Sequence, residues 1–257
     1  MIKAIFLDID GTMVSFNTHR VPENTRNVLR DARKKGVKIF VATGRHRSDI
    51  NNLGDLEFDG YITLNGGYCF VGNKVIFKKP VPPEDVEAFI RYGEEVEHLP
   101  CFFVEAERVS ADMENEHMTA MMKLVKFEPR PIVPAREFIN KEIFQMTAFF
   151  SVEREAEIMN CLPGCTATRW YPTFADIVAR GVDKSGGLEK IGGYFGFGVD
   201  EMMAIGDGGN DITMIKYAGT GIAMGNAGEE VKDVADYVTT SVDDDGVGCA
   251  LRYFGVV

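Results

Sequence analysis

The sequence predicts an α/β protein: a layered sheet of parallel strands into which a second α/β unit is inserted. Three observations predict it. Short, uninterrupted apolar runs alternate with helix-length segments toward both ends of the chain, as strands buried on both faces of a parallel sheet require. Between about Pro80 and Pro172 the texture changes to longer strand-like runs. Stretches rich in proline and glycine flank that change, as domain boundaries usually are. At 257 residues the chain is long enough for one large domain or two of about 100 to 150 residues.

Taken in order, "AIFL" (4–7) is the first strand, and Pro22 to Lys35 reads as a helix stopped by Gly36. "KIFVA" (38–42) and "YITL" (61–64) are the next strands. In the inserted region the helix-like segments are "PEDVEAFIRYGEEVE" (83–97) and "EREAEIMNCL" (153–162), and the strands "CFFVE" (101–105) and "FQMTAFF" (144–150). "KKPVPPED" and the segment around "YPTFADIVARGVDKSGG" are expected to be its linkers. The later elements are Lys184 to Tyr194, "MMAI" (202–205), Asp211 to Ala218, "GIAM" (221–224), Glu229 to Ala235 and "YVTT" (237–240). The expected division is therefore residues 1–79, 80–182 and 183–257, with the middle part inserted into a core formed by the outer two.

Composition narrows the function classes. Hydrophobic residues make up 45% and charged residues 26%, an ordinary balance for a globular chain. The net charge of −11 would be repelled by phosphate backbones and anionic membranes, so neither nucleic acid nor membrane is an expected partner. No run is long enough for a signal peptide or a membrane span, which points to a cytoplasmic protein. The five cysteines are scattered and read as reduced thiols. The four histidines show no zinc-type spacing.

The chemistry lies in four short stretches. "AIFLDIDGT" delivers Asp8 and Asp10 from the carboxyl end of a buried strand, where open α/β sheets bind ligands. An i, i+2 pair on extended chain points to one side, and Gly11 lets the chain turn away. Alone, such a pair reads more readily as a turn making local hydrogen bonds. A calcium loop is excluded, because Thr12 and Met13 stand where an EF-hand needs Asp or Asn and then Gly. "VATGR" places Thr43 and Gly44 after the second strand, with a hydroxyl and N–H groups suited to a phosphoryl oxygen. "GVDKSGG" opens a helix with Lys184, a cation able to reduce repulsion between a phosphate and a carboxylate. "AIGDGGND" presents Asp207, Asn210 and Asp211 in a glycine-rich loop, an oxygen donor set of the kind magnesium prefers.

In this order and spacing the four stretches resemble the motifs of the haloacid dehalogenase (HAD) superfamily. More narrowly the chain resembles its Cof-type sugar phosphatases, whose class IIB cap is an α/β insertion between the second and third motifs. "ITLNGG" (62–67) and "DDDGVGCAL" (243–251) are also similar to stretches of that subgroup. The resemblance implies a three-layer, Rossmann-like parallel-sheet core with an inserted α/β cap domain that closes over the substrate. It implies that Asp8 is the nucleophile, forming an aspartyl-phosphate, and that Asp10 is the general acid and base. It implies a magnesium ion held by Asp8, the main-chain carbonyl of Asp10, and Asp207, with Asp211 a ligand or just behind one. Thr43, Gly44, Lys184, Asn210 and the backbone around Ile9 would cradle the phosphoryl group. The implied activity is magnesium-dependent hydrolysis of small phosphorylated metabolites, sugar phosphates first among them. Asp10 argues against a dehalogenase or an ion-pumping ATPase. One departure is Ser185, where Cof-type members usually carry glycine. A sugar phosphomutase and a silent phosphometabolite-binding protein are the rival readings.

Other residues carry weaker signals. Arg45 could touch substrate or make a structural ion pair. Trp170 could stack on a sugar ring, although core packing is the commoner role. His117, Met118, Met121 and Met122 could line a substrate loop, yet methionines at helical spacing are more often core. "GTGIAMG" (219–225) has the wrong spacing for a dinucleotide fingerprint.

Overall fold

The computed structural model describes residues 1–257. They form two compact units, one comprising Met1–Arg45, Ile50–Phe77 and Asp183–Val257, the other His46–Asp49 and Lys78–Val182. The chain runs β1 (Ala4–Leu7), α1 (Glu23–Lys34), β2 (Lys38–Ala42), β3 (Gly60–Thr63), β4 (Tyr68–Val71) and β5 (Lys74–Lys78). The insertion contributes α2 (Pro83–Glu95), β6 (Cys101–Val104), β7 (Val109–Ala111), α3 (Glu116–Val125), β8 (Gln145–Ala148), α4 (Glu155–Asn160), β9 (Cys165–Thr168) and β10 (Ala175–Ala179). The chain then continues with α5 (Lys184–Phe195), β11 (Met202–Gly206), α6 (Ile212–Tyr217), β12 (Thr220–Ala223), α7 (Glu229–Lys232), β13 (Tyr237–Val238) and α8 (Gly246–Tyr253).

The first unit is built on an eight-stranded sheet ordered β13-β12-β11-β1-β2-β3-β4-β5. Its first six strands run parallel. Strand alternation sends Ile5 and Leu7 to one face, where they pack with Val28, Leu29 and Ala32 of α1 and Val247, Ala250 and Leu251 of α8. Ala4 and Phe6 point the other way, into a cluster with Leu188 and Ile191 of α5 and Met214 and Ile215 of α6. Two apolar faces covered by helices make three layers, which is why the strands read as unbroken apolar runs.

The edges depart from the sequence reading. β4 pairs antiparallel with β3, so the parallel core carries an antiparallel strand beyond β3. β13 covers only Tyr237–Val238 of the expected 237–240, and Val238 is exposed. An edge strand is paired on one side only, and within "YVTT" Thr239 alone is buried.

The second unit is a five-stranded antiparallel sheet ordered β7-β6-β8-β10-β9. One face carries Cys101, Phe103, Met146, Ala148, Ala175 and Ile177, packed against Val86, Phe89 and Ile90 of α2 and Ile158 of α4. The expected second linker is corrected here: "YPTFADIVARGVDKSGG" contains β10, a fully buried strand paired with both β8 and β9. Asp176 hid that strand by interrupting its apolar run. Its carboxylate is accommodated by hydrogen bonds from the Thr147 hydroxyl (2.7 Å) and the Gln145 amide (3.0 Å). Met118, Met121 and Met122 are buried on α3, whereas His117 is exposed. Trp170 packs edge-on against Phe174, with ring centroids 4.9 Å apart. The five cysteines form no disulfide. No helix is long and apolar enough to cross a membrane.

Candidate active site

Because β12, β11, β1, β2 and β3 are adjacent and parallel, their carboxyl ends open on one side of the sheet. The residues just beyond those ends include Asn226, Asp207, Asp8, Thr43 and Asn65. This is the side on which open α/β sheets place their ligands.

At the centre Lys184, the first residue of α5, is fully buried. Its ammonium donates to Asp8 Oδ1 (2.7 Å) and to Asp211 Oδ1 (2.5 Å). Asp183 caps α5 by accepting from the Gly186 N–H at 2.8 Å, which fixes where the lysine leaves the backbone. The other Asp211 oxygen accepts from the N–H groups of Asp207 and Gly208, both at 2.9 Å. Asp211 is thus wholly occupied in holding the loop after β11 and the lysine.

Asp207 faces the turn after β1. Its Oδ1 accepts from the Thr12 hydroxyl at 2.7 Å, and its Oδ2 lies 3.3 Å from the Asn226 amide. Asn226 also donates to the Gly11 carbonyl at 2.9 Å. Gly11 has φ of +83°, and a Cβ there would lie 2.1 Å from Asp207 Oδ2. Only glycine allows both the left-handed turn and so close an approach.

Asp10 lies close enough to repel Asp8 but is held by a different cation. Its two oxygens accept from Nε and an Nη of Arg45, each at 2.6 Å, in a bidentate pair. Arg45 is buried, and Asp10 keeps some solvent exposure. Thr43 is buried, and its hydroxyl oxygen accepts from the Arg45 N–H at 3.1 Å. Ile9 is buried in the core, so any part it plays at the site is through its backbone. Asn210 reaches across to Asn65, donating from Nδ2 to Oδ1 at 2.9 Å.

The electrostatics favour a cation. Ligand oxygens of Asp8, Asp207 and Asp211 lie within 4.8 Å of one another. Burial, with repulsion from Asp211 and Asp10, pushes the Asp8 carboxyl up to about 7, against the pull of Lys184. Burial together with Asp8 and Asp211 also raises Asp207 well above the carboxylate range. Burial alone would lower the Lys184 pKa, but the attraction of Asp211 and Asp8 outweighs it and the net shift is upward. One lysine does not offset three carboxylates, two buried and one half-buried, and an all-oxygen donor set short of positive charge fits a hard divalent ion such as magnesium.

The structure therefore brings Asp8, Lys184, Asp207 and Asp211 into one cluster, and sets Asp10 with Arg45 beside it. Three participants were not assigned from the sequence. Thr12 and Asn65 stand inside quoted stretches, "DIDGT" and "ITLNGG", but bare spacing gave them no role. Asn226 stands in no motif, and only the fold shows it at the end of β12.

Comparison with known proteins identifies the family. Residues 5–251 match the haloacid dehalogenase-like hydrolase family. The YkrA protein of Bacillus subtilis (strain 168) is 32% identical over 256 residues, covering 99% of this chain and 98% of its own length. The 5-amino-6-(5-phospho-D-ribitylamino)uracil phosphatase YcsE of the same organism is 28% identical over 271 residues, covering 98% of this chain and 96% of its own. Among solved structures, the HAD subclass IIB sugar phosphatase BT4131 superposes with a TM-score of 0.95 at 46% identity, covering 99% of this chain and 100% of that one.

Proposed function

The chain belongs to the haloacid dehalogenase-like hydrolase family, and from that premise we propose that it is a magnesium-dependent phosphatase of small phosphorylated metabolites, sugar phosphates foremost. The observation that carries this reading is the buried Lys184 bridging Asp8 and Asp211 beside Asp207. Lys184 engages Oδ1 of Asp8, and the other oxygen is the nucleophile.

In the first step Asp8 attacks phosphorus, and the ester P–O bond breaks with its electron pair passing to the leaving oxygen. That oxygen takes a proton from Asp10. In the second step water attacks the aspartyl-phosphate, gives its proton to Asp10, and releases phosphate and the Asp8 carboxylate. Arg45 holds both Asp10 oxygens in this structure, so one of those bonds opens when Asp10 carries a proton. Lys184, Thr43, Gly44 and Asn210, with the backbone at Ile9, hold the phosphoryl oxygens. Asp8, Asp207 and the Asp10 carbonyl are the groups that would hold magnesium, with Asp211 bracing them. When bound, the ion supplies the positive charge that lets an anionic phosphate approach these carboxylates.

The test is phosphate release from a panel of sugar phosphates and an aryl phosphate, with magnesium or a chelator, beside Asp8→Asn. Release that requires magnesium and falls by about 10³-fold or more in Asp8→Asn is the expected result. Retained hydrolysis in the variant would remove Asp8 as nucleophile. Sugar-phosphate isomerisation without phosphate release would assign a mutase.

A further inference from the structure

Leu64, Asn65 and Gly66, which follow β3, all have left-handed backbones, with φ of 52°, 54° and 99°. Leucine rarely adopts this region, and such strain is kept where surrounding contacts impose it. Here the contacts converge on the site from three directions. The Leu64 N–H donates to the Arg45 carbonyl (3.3 Å) and the Asn65 N–H to the Thr43 carbonyl (3.1 Å). A Cβ on Gly66 would lie 2.1 Å from the carbonyl of Asp183, the residue that caps α5 ahead of Lys184. The Asn65 side chain, buried with 2% exposure, accepts from Asn210. Asn210 follows β11, and β11 is separated from β3 by β1 and β2. The amide pair therefore spans the ends of the two strands that carry Asp8 and Thr43.

We propose that Asn65 is a positioning residue of the phosphoryl site: its side-chain carbonyl fixes the Asn210 amide, tying the loop after β11 to the loop after β2. The inference rests on the reading of Thr43 and Asn210 as phosphoryl-holding residues. An amide with one N–H spent on Asn65 presents its second N–H in a fixed direction. Without that anchor the Asn210 side chain is free to choose other rotamers, and the binding of a tetrahedral oxyanion becomes less ordered.

Asparagine also tolerates left-handed backbone better than most residues, so the experiment must separate conformation from the amide. Asn65→Gly does so, because glycine keeps the turn and removes only the side chain. Binding of inorganic phosphate in the presence of magnesium is measured by calorimetry, alongside KM and kcat. The set is wild type, Asn65→Gly, Asn210→Ala and the double variant, with Asn65→Asp as a fold-preserving second substitution that keeps an acceptor. The expected result is a three- to tenfold weaker phosphate affinity and a similar rise in KM for Asn65→Gly, roughly the loss of one hydrogen bond. The change in kcat should be smaller. Asn210→Ala should lose at least as much, and the double variant should lose no more than Asn210→Ala alone, the signature of a residue that acts through another. Losses that add, or an Asn65→Gly protein with wild-type phosphate affinity, would reduce Asn65 to a turn residue. A wild-type protein that binds no phosphate would instead remove the phosphoryl site and this role with it.

Discussion

The two cation–carboxylate contacts at this site sit side by side and differ in kind. On the inner side the point charge of Lys184 is shared between Asp8 and Asp211, one oxygen of each, with no solvent exposure of the lysine. On the outer side the planar fork of Arg45 takes both oxygens of a single carboxylate, Asp10, which is 19% exposed. A shared ammonium leaves each partner another oxygen for other work, whereas a bidentate guanidinium saturates its partner. The inner contact suits a nucleophile held still. The outer one suits a proton carrier that must be released in order to act.

The largest expected effect comes from breaking the inner contact. Lys184→Met removes the only side-chain cation placed against Asp8 and Asp211, leaving buried carboxylates uncompensated. Removing one partner of a buried pair costs about 3–5 kcal/mol, so thermal unfolding should shift sharply downward. Turnover should fall by at least about 10²-fold through loss of charge stabilisation. Near-native stability and activity would show that the lysine does not organise the site.

Breaking the outer contact should cost less, and in a way that depends on the leaving group. Arg45→Met leaves Asp10 unoriented, which matters when the departing alkoxide needs a proton and little when an aryl oxide leaves unaided. General acid catalysis contributes about 10²–10⁴-fold, and losing only its orientation should lower kcat/KM for a sugar phosphate by about tenfold or more. The aryl phosphate should change far less. Equal losses on both would mean that Arg45 acts on the phosphoryl group itself.

The inner contact also predicts a pH dependence of stability in the metal-free protein. Asp8 loses its proton near pH 7 when folded, against an ordinary value of 3.8. Between these values the unfolded chain is ionised at Asp8 while the folded chain still holds the proton, so this group's contribution to stability falls as pH rises. Asp8→Asn removes that dependence. With a chelator present, the unfolding temperature of wild type minus that of Asp8→Asn should therefore decline from about pH 4 to about pH 7. Magnesium binds the ionised carboxylates, and its stabilisation should grow over the same interval. A difference that rises with pH would contradict the burial-driven shift.

What the sequence disclosed follows from the same physics. Parallel strands covered on both faces read as apolar runs, so β1, β2, β3, β11 and β12 could be located and Asp8, Thr43 and Asp207 placed at their ends. Motif order supplied Lys184, whose position at the head of α5 the structure confirms. The antiparallel insertion was harder: β8 falls within the apolar run 144–150 despite its buried Thr147, but Asp176 is buried in β10, a strand that hydrophobicity alone does not mark. Segment 46–49 groups with the second unit although its neighbours on both sides belong to the first, and no local pattern announces that. The partners of each carboxylate were equally out of reach: Asp10 with Arg45, or Asp207 with Thr12 and Asn226, are contacts between residues 35 and 195 positions apart or at separate strand ends.

The smallest effect is expected at the departure from the Cof-type pattern, Ser185→Gly. The concern raised by a side chain here is that it distorts the turn presenting Lys184. The cap of α5 has regular geometry nonetheless: Asp183 accepts from the Gly186 N–H, and the Ser185 hydroxyl adds a second bond to the same oxygen at 2.6 Å. Glycine would keep the backbone part of this cap and lose only the hydroxyl. The cost should therefore be within about 0.5–1 kcal/mol, the range for a glycine in a helix, with kcat/KM within about twofold of wild type. A larger loss of activity, at unchanged stability, would mean that the serine steadies the Asp183 carboxylate and through it the exit angle of Lys184, and so belongs to the inner contact after all.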